Sequence, residues 1–178
     1  PDAIIVRSYK MHEMALPPNL KTIARAGAGV NNIPVECCSE KGIIVFNTPG
    51  ANANSVKELV LTGLFLSTRN VFQAMTWARS IIDQGDEVPK LIEKEKSKFK
   101  GPELKGKTLG VIGLGSIGAM VANSAHELGM NVIGCDPFIS VDSAWNLSRA
   151  VKRAVSVDSL MAQSDFISLH VPLNDKTR

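Results

Sequence analysis

Residues 108–138 read TLGVIGLGSIGAMVANSAHELGMNVIGCDPF. The run Thr108–Ile112 has the apolar, β-branched character of a buried strand. Gly113-Leu-Gly115-Ser-Ile-Gly118 follows at once and opens a helical run, as a dinucleotide-binding turn requires. The three glycines have separate tasks in such a turn. Gly113 permits the tight bend, Gly115 lets backbone approach a pyrophosphate, and Gly118 lets helix and strand pack closely. Free N–H groups at Ser116 and Ile117 would face the phosphates at the helix N-terminus, where the dipole favours negative charge. The next strand ends in Asp136, 18 residues beyond Gly118, where a carboxylate accepts hydrogen bonds from the adenosine ribose. A 2′-phosphate would meet like charge there, and residues 137–140 offer no arginine to offset it. The expected cofactor is therefore NAD rather than NADP. A purely structural glycine turn beside a surface aspartate is the alternative, and the full strand–turn–helix–strand–acid context weighs against it.

Outward from this stretch, Ile- and Val-rich runs alternate with helical patterns. Strands are expected at residues 3–7, 21–26, 43–47, 107–112, 131–135 and 165–170, and helices at 34–41, 117–128 and 157–163. The alternation predicts an α/β protein of parallel βαβ units, with a Rossmann-type sheet in its second part. Residues 51–82 break the rhythm with a long helical pattern, and a polar, Gly- and Pro-punctuated stretch covers 84–106. Turn residues concentrate in NTPGANAN, 47–54, which predicts two pieces, 1–50 and 51–178.

Composition excludes several function classes. A net charge of +3 is too slight for a nucleic-acid partner, and the dense run 93–100 alternates signs, as a solvated connection does. Cys37, Cys38 and Cys135 make no metal-ligand spacing, adjacent cysteines disfavour a disulfide, and the unpatterned set suits a reducing cytosol. The longest apolar stretch, 59–66, is far too short to span a bilayer, and no signal peptide is visible, so no membrane partner is expected. The chain opens without Met directly into a strand and closes just after another, which leads us to expect a fragment.

The first piece carries a second pattern. Arg7-Ser8, Gly27-Ala28-Gly29 and Asn47-Thr-Pro-Gly50 each follow an expected strand. If those strands are parallel, all three clusters share the carboxyl edge of one sheet, where α/β ligands bind. Residues 27–30 can present successive N–H groups as a nest for a carboxylate, and Arg7 offers a planar fork to a second anion. A plain turn and a surface ion pair remain open readings of the same residues. Hydride transfer from an alcohol carbon also needs a general base. His12 lies in a polar loop, His126 on a helix, and His170 at a strand end beside the expected cofactor, where placing backbone and ring near the nucleotide is its expected part. None reads as a convincing base, and no metal-ligand set or paired carboxylates stand out.

RAGAGVNNIPVECCSEKGIIVFNTPGANANSVKEL, then FKGPELKGKTLGVIGLGSIG with GMNVIGCDPF, then DFISLHVPLNDKTR, resemble the D-isomer-specific 2-hydroxyacid dehydrogenases along essentially the whole chain. The phosphoglycerate branch is the most similar. The resemblance implies a flavodoxin-like substrate domain packed against a Rossmann NAD domain, and oxidation of 3-phospho-D-glycerate to 3-phosphohydroxypyruvate on the route to serine. It implies cofactor contacts at Gly113, Gly115, Ser116, Ile117, Gly118, Asp136, His170, Val171 and Pro172, and substrate contacts at Arg7, Ser8, Ala28 and Gly29. Ala28 would also lie near the nicotinamide. A homodimer or higher homo-oligomer, formed through the cofactor domain, is implied with the 51–82 helical region as partner surface. The family's catalytic Arg, Glu and His fall at later positions than any in this chain, so this stretch alone is expected to be inactive. Position 31 is Asn where many members carry Asp, and position 171 is Val where some carry Thr. A glyoxylate or hydroxypyruvate reductase, a D-lactate-type enzyme, or an NADH-sensing corepressor of the C-terminal-binding-protein type are the alternatives.

Overall fold

A computed structural model describes residues 1–173 and 177. The chain divides into two compact units, residues 1–55 with 172–178 and residues 56–171. The first unit holds strands β1 (Ala3–Val6), β2 (Thr22–Arg25) and β3 (Ile44–Asn47), all parallel in the order β1-β2-β3, with the short helix α1 (Val35–Glu40) crossing between β2 and β3. One face of this sheet packs through Ile4, Val6, Ile23 and Val45 onto Met11, Leu20, Ile33 and Cys38. Burial also raises the Cys38 thiol above its ordinary pKa, with Cys37 adding to the effect. Period-two alternation sends Ile5, Ile44 and Phe46 to the other face, where they are exposed.

In the second unit a four-stranded parallel sheet runs β6 (Lys152–Arg153), β5 (Asn131–Cys135), β4 (Thr108–Ile112), β7 (Phe166–Leu169). Helix α5 (Ser116–Glu127) joins β4 to β5, α6 (Val141–Trp145) leads to β6, and α7 (Val157–Gln163) crosses back to β7. The core gathers Leu109, Val111, Val121, Ala122, Ala125 and Val132, with Leu64 and Leu104 from the preceding segment. Close approach explains two small residues. A methyl on Gly110 would overlap Leu160 and Ser164 of the α7 side, and one on Gly101 would overlap the Thr68 carbonyl.

Several sequence expectations are corrected in detail. The long helical pattern breaks into α2 (Ala53–Thr68) and α3 (Val71–Ser80) because Asn70 sits in the left-handed region at φ 48°. Asn tolerates that conformation better than most residues, and its Nδ2 donates to the Lys100 carbonyl at 3.0 Å. The polar stretch after it is largely helical rather than loop, with α4 (Val88–Glu95) flanked by 3-10 turns at Ile82–Glu87 and Lys96–Phe99. Its mixed charges form i,i+3 pairs, Glu87 with Lys90, Glu93 with Lys96 and Glu95 with Lys98. Phe99 at its end stacks on Trp77 with ring centroids 5.2 Å apart. The elements α6 and β6 were not expected at all.

Candidate functional site

The glycine turn sits at the carboxyl end of β4, the middle of the second sheet. Gly113 takes φ 88°, and a Cβ there would lie 2.7 Å from the His170 carbonyl oxygen and 2.9 Å from Val171 Cγ1. A Cβ on Gly118 would overlap the Gly113 carbonyl oxygen. Gly115 differs from both, because nothing lies within 4 Å of a Cβ built on it. So two of the glycines are enclosed by protein, and the third borders open space over the turn. Gly115 caps α5 without a side-chain hydrogen bond, and the first-turn N–H groups of Ser116 and Ile117 have no acceptor among the described residues. Open space, free donors and the positive end of a helix dipole make an anion cradle.

Asp136 lies just beyond β5, half-buried. Its Oδ2 accepts the Leu114 N–H at 2.8 Å, and its Oδ1 accepts the Phe138 N–H at 2.8 Å. A carboxylate has about four acceptor positions, so the backbone fixes the group through two and leaves capacity for a diol. These residues fit an NAD ribose and pyrophosphate.

His170 follows β7 and is half-buried. Its N–H donates to the Ile112 carbonyl at 2.8 Å, locking the chain beside the glycine turn, and Nε2 lies 2.9 Å from Ser168 Oγ. Burial lowers its pKa below the usual imidazole value, so the ring is neutral at pH 7. Val171 and Pro172 are exposed. Val171 flanks the turn, while Pro172 falls with the first unit. His12 and His126 are exposed. A depression of about 630 Å³ on the second unit is lined by Thr108, His126, Asn131 and Lys152 among others. Thr108 and Asn131 begin their strands, so it opens at the edge opposite the turn and takes no part in the cradle.

In the first unit the parallel strands do bring Arg7, residues 27–29 and Asn47 to one carboxyl edge. Arg7 and Ser8 are exposed there. Asn47 Nδ2 donates to the Ala28 carbonyl at 2.7 Å, and Thr48 N–H to the Gly27 carbonyl at 3.1 Å. These bonds turn the carbonyls of 27–28 toward β3, and the N–H groups of Ala28 and Gly29 have no acceptor among the described residues. Sequence reasoning passed over Arg25. Its guanidinium lies under Gly27 so closely that a Cβ on that glycine would overlap Nη1, and its buried Nε has no partner. A cation ending an apolar strand, two residues before a glycine nest, was the signal available.

Among the described residues no helix is long and apolar enough to cross a membrane, and no group of three or more His, Cys, Asp or Glu could hold a metal ion.

Residues 68–178 match the family model described as "D-isomer specific 2-hydroxyacid dehydrogenase, NAD binding domain". Among curated relatives, the D-3-phosphoglycerate dehydrogenase of Methanocaldococcus jannaschii is 45% identical over 99% of this chain and 32% of that protein. The hydroxypyruvate reductase of Thermotoga maritima is 44% identical over 90% of this chain and 47% of its own length. The chain thus spans about a third to a half of these relatives. A solved D-lactate dehydrogenase of Aquifex aeolicus, complexed with NAD and lactic acid, superposes with a TM-score of 0.76 at 30% identity, covering 99% of this chain and 50% of that one. With the anion cradle, the Asp136 carboxylate bonded to its turn and the family match in agreement, the chain belongs to the D-isomer specific 2-hydroxyacid dehydrogenases and carries NAD-binding-domain sequence of that family.

Proposed function

We propose that the full-length protein carrying this chain is a D-3-phosphoglycerate dehydrogenase, which oxidises 3-phospho-D-glycerate to 3-phosphohydroxypyruvate with NAD. Bound NAD supplies the acceptor for the hydride leaving the carbinol carbon. The first unit is the part of the substrate domain that meets the anion, and the second belongs to the cofactor domain. Ser116 and Ile117 N–H groups hold the pyrophosphate, with Gly113, Gly115 and Gly118 shaping the turn. Asp136 takes the ribose hydroxyls, and His170, Val171 and Pro172 line the cofactor. Ala28 and Gly29 N–H groups take the substrate carboxylate, with Ala28 also facing the nicotinamide end, and Arg7 and Ser8 take the phosphate. The single observation that carries the substrate reading is the exposed Arg7 beside free backbone donors on one sheet edge.

No histidine of the chain is assigned the proton. His170 is held by Ser168 and neutral, which suits positioning. Exposed Leu59, Phe65, Leu66, Phe72 and Met75 on α2 and α3 support a homodimer through that region.

A hydroxypyruvate reductase is the second reading, favoured by the 44% identity to the Thermotoga enzyme. Replacing Arg7 separates the two. Arg7→Ala in the full-length protein should raise KM for phosphohydroxypyruvate on the order of tenfold or more, as loss of a charged hydrogen bond does. KM for unphosphorylated hydroxypyruvate should stay within about twofold. Equal effects on both substrates would remove the phosphate from Arg7.

A further inference from the structure

Among the described residues of the first unit, Asn32 is the one large polar side chain that is buried, with 8% of its surface exposed. Its Nδ2 donates to two carbonyls, Tyr9 at 2.8 Å and Arg7 at 3.3 Å. Its backbone carbonyl accepts the Met11 N–H at 2.8 Å. One residue of the loop after β2 thus grips both ends of residues 7–11, the segment after β1. Few other restraints act there. Ala26 N–H donates to the Val6 carbonyl before the segment, and Met14 N–H to the Met11 carbonyl after it. Among the described residues, no other hydrogen bond reaches the carbonyls of 7–10.

Asn32 Oδ1 is buried and has no partner. The amide therefore keeps an orientation that satisfies its two donations and leaves its acceptor unmet, and a buried polar atom left that way is costly. An aspartate would carry no donor in that place, and an alanine neither donor nor acceptor.

We infer that Asn32 is a positioning residue for substrate recognition, holding the Arg7–Ser8 backbone in register with the free N–H groups of Ala28 and Gly29. This rests on the reading of Arg7 and the 27–29 turn given above. Because Asn32 acts through the segment and touches no substrate itself, its loss should weaken substrate binding while cofactor affinity is kept.

The experiment compares wild type, Asn32→Ala and the near-isosteric Asn32→Asp in the full-length protein by two readouts. The first is the rate of trypsin cleavage after Arg7 and Lys10, which lie within the gripped segment. The second is KM for phosphohydroxypyruvate beside Kd for NADH. Cleavage at those two bonds should accelerate on the order of tenfold, as expected for lost buried hydrogen bonds. KM should rise by a similar factor, with NADH Kd changed less than about twofold. Unchanged cleavage in a variant that folds overturns the inference, whatever Arg7 does. Faster cleavage with KM unmoved in both Asn32 variants and in Arg7→Ala leaves the positioning of the segment standing and overturns the assignment of Arg7 to substrate. If Asn32→Ala does not fold, Asn32→Asp, which keeps the volume, gives the decision.

Discussion

Asp136 ties two backbone N–H groups to one side chain. Its two oxygens accept the Leu114 and Phe138 N–H groups, so the carboxylate braces the glycine turn while presenting its remaining lone pairs outward. Asp136→Ala should weaken NADH by roughly tenfold to a hundredfold, the range for lost hydrogen bonds to a charged group. It should weaken NADPH less, because the like charge opposing a 2′-phosphate disappears with it. Fluorescence titration of the two cofactors checks this, and equal affinity in the unmutated protein would contradict the assignment. The place of Asp136 beside the glycine turn was legible because spacing and residue type sufficed. Asn32 was not, since its significance lies in what it reaches across to, through hydrogen bonds spanning 23 and 25 residues. A sequence pattern reports periodicity along one element. It is blind to a side chain that bonds to another loop.

At the scale of elements, the start of α5 shows how one motif divides its glycines between fold and function. Gly118→Ala puts a methyl into the Gly113 carbonyl, and backbone cannot rotate aside as a side chain can. A loss of about 2–3 kcal/mol is expected, seen as a Tm fall of roughly 4–12 °C. Gly115→Ala meets open space at φ −69° and should cost at most about 1 kcal/mol as a poorer N-cap. Its methyl would nonetheless occupy the cradle, so NADH affinity should fall about tenfold, as for a misplaced hydrogen-bonded anion. Melting curves and titrations on both variants test the division, and it fails if the two variants behave alike. Elsewhere, legibility followed burial. β5 and α7 were readable to the residue because their apolar positions face a core. The tetrad Ser-Val-Asp-Ser occurs twice, at 140–143 and 156–159, and each time its first Ser caps a helix by accepting the N–H of the last. Only the second was read as a helix. The first opens α6, five residues whose Val141 and Trp145 stay exposed, so no periodicity marked it. β6 is Lys-Arg, held by backbone pairing to β5 and devoid of apolar content. The break at Asn70 escaped notice because the flanking helical patterns continue on both sides.

For the whole molecule, the apolar residues that α2 and α3 leave exposed matter most to assembly. Leu59 and Phe72 are more than 70% exposed, a poor arrangement for an isolated surface and a reasonable one for an interface between copies. The full-length protein should elute as a dimer or larger in light-scattering chromatography, and Phe72→Asp should shift it toward monomer. A wild-type monomer at micromolar concentration would contradict the assembly. The two-part organisation also decides how function is distributed. Among the described residues, backbone N–H groups without acceptors collect at the carboxyl edge of each unit's sheet. Such donors bind and orient, and the activity proposed above is that of the full-length protein. The most direct measurement is therefore NADH-dependent reduction by that protein, comparing kcat/KM for phosphohydroxypyruvate and for hydroxypyruvate. Turnover of both is expected, with the phosphorylated substrate preferred by roughly tenfold or more, the worth of one well-placed charged contact. Preference for hydroxypyruvate, or turnover of neither, would contradict it.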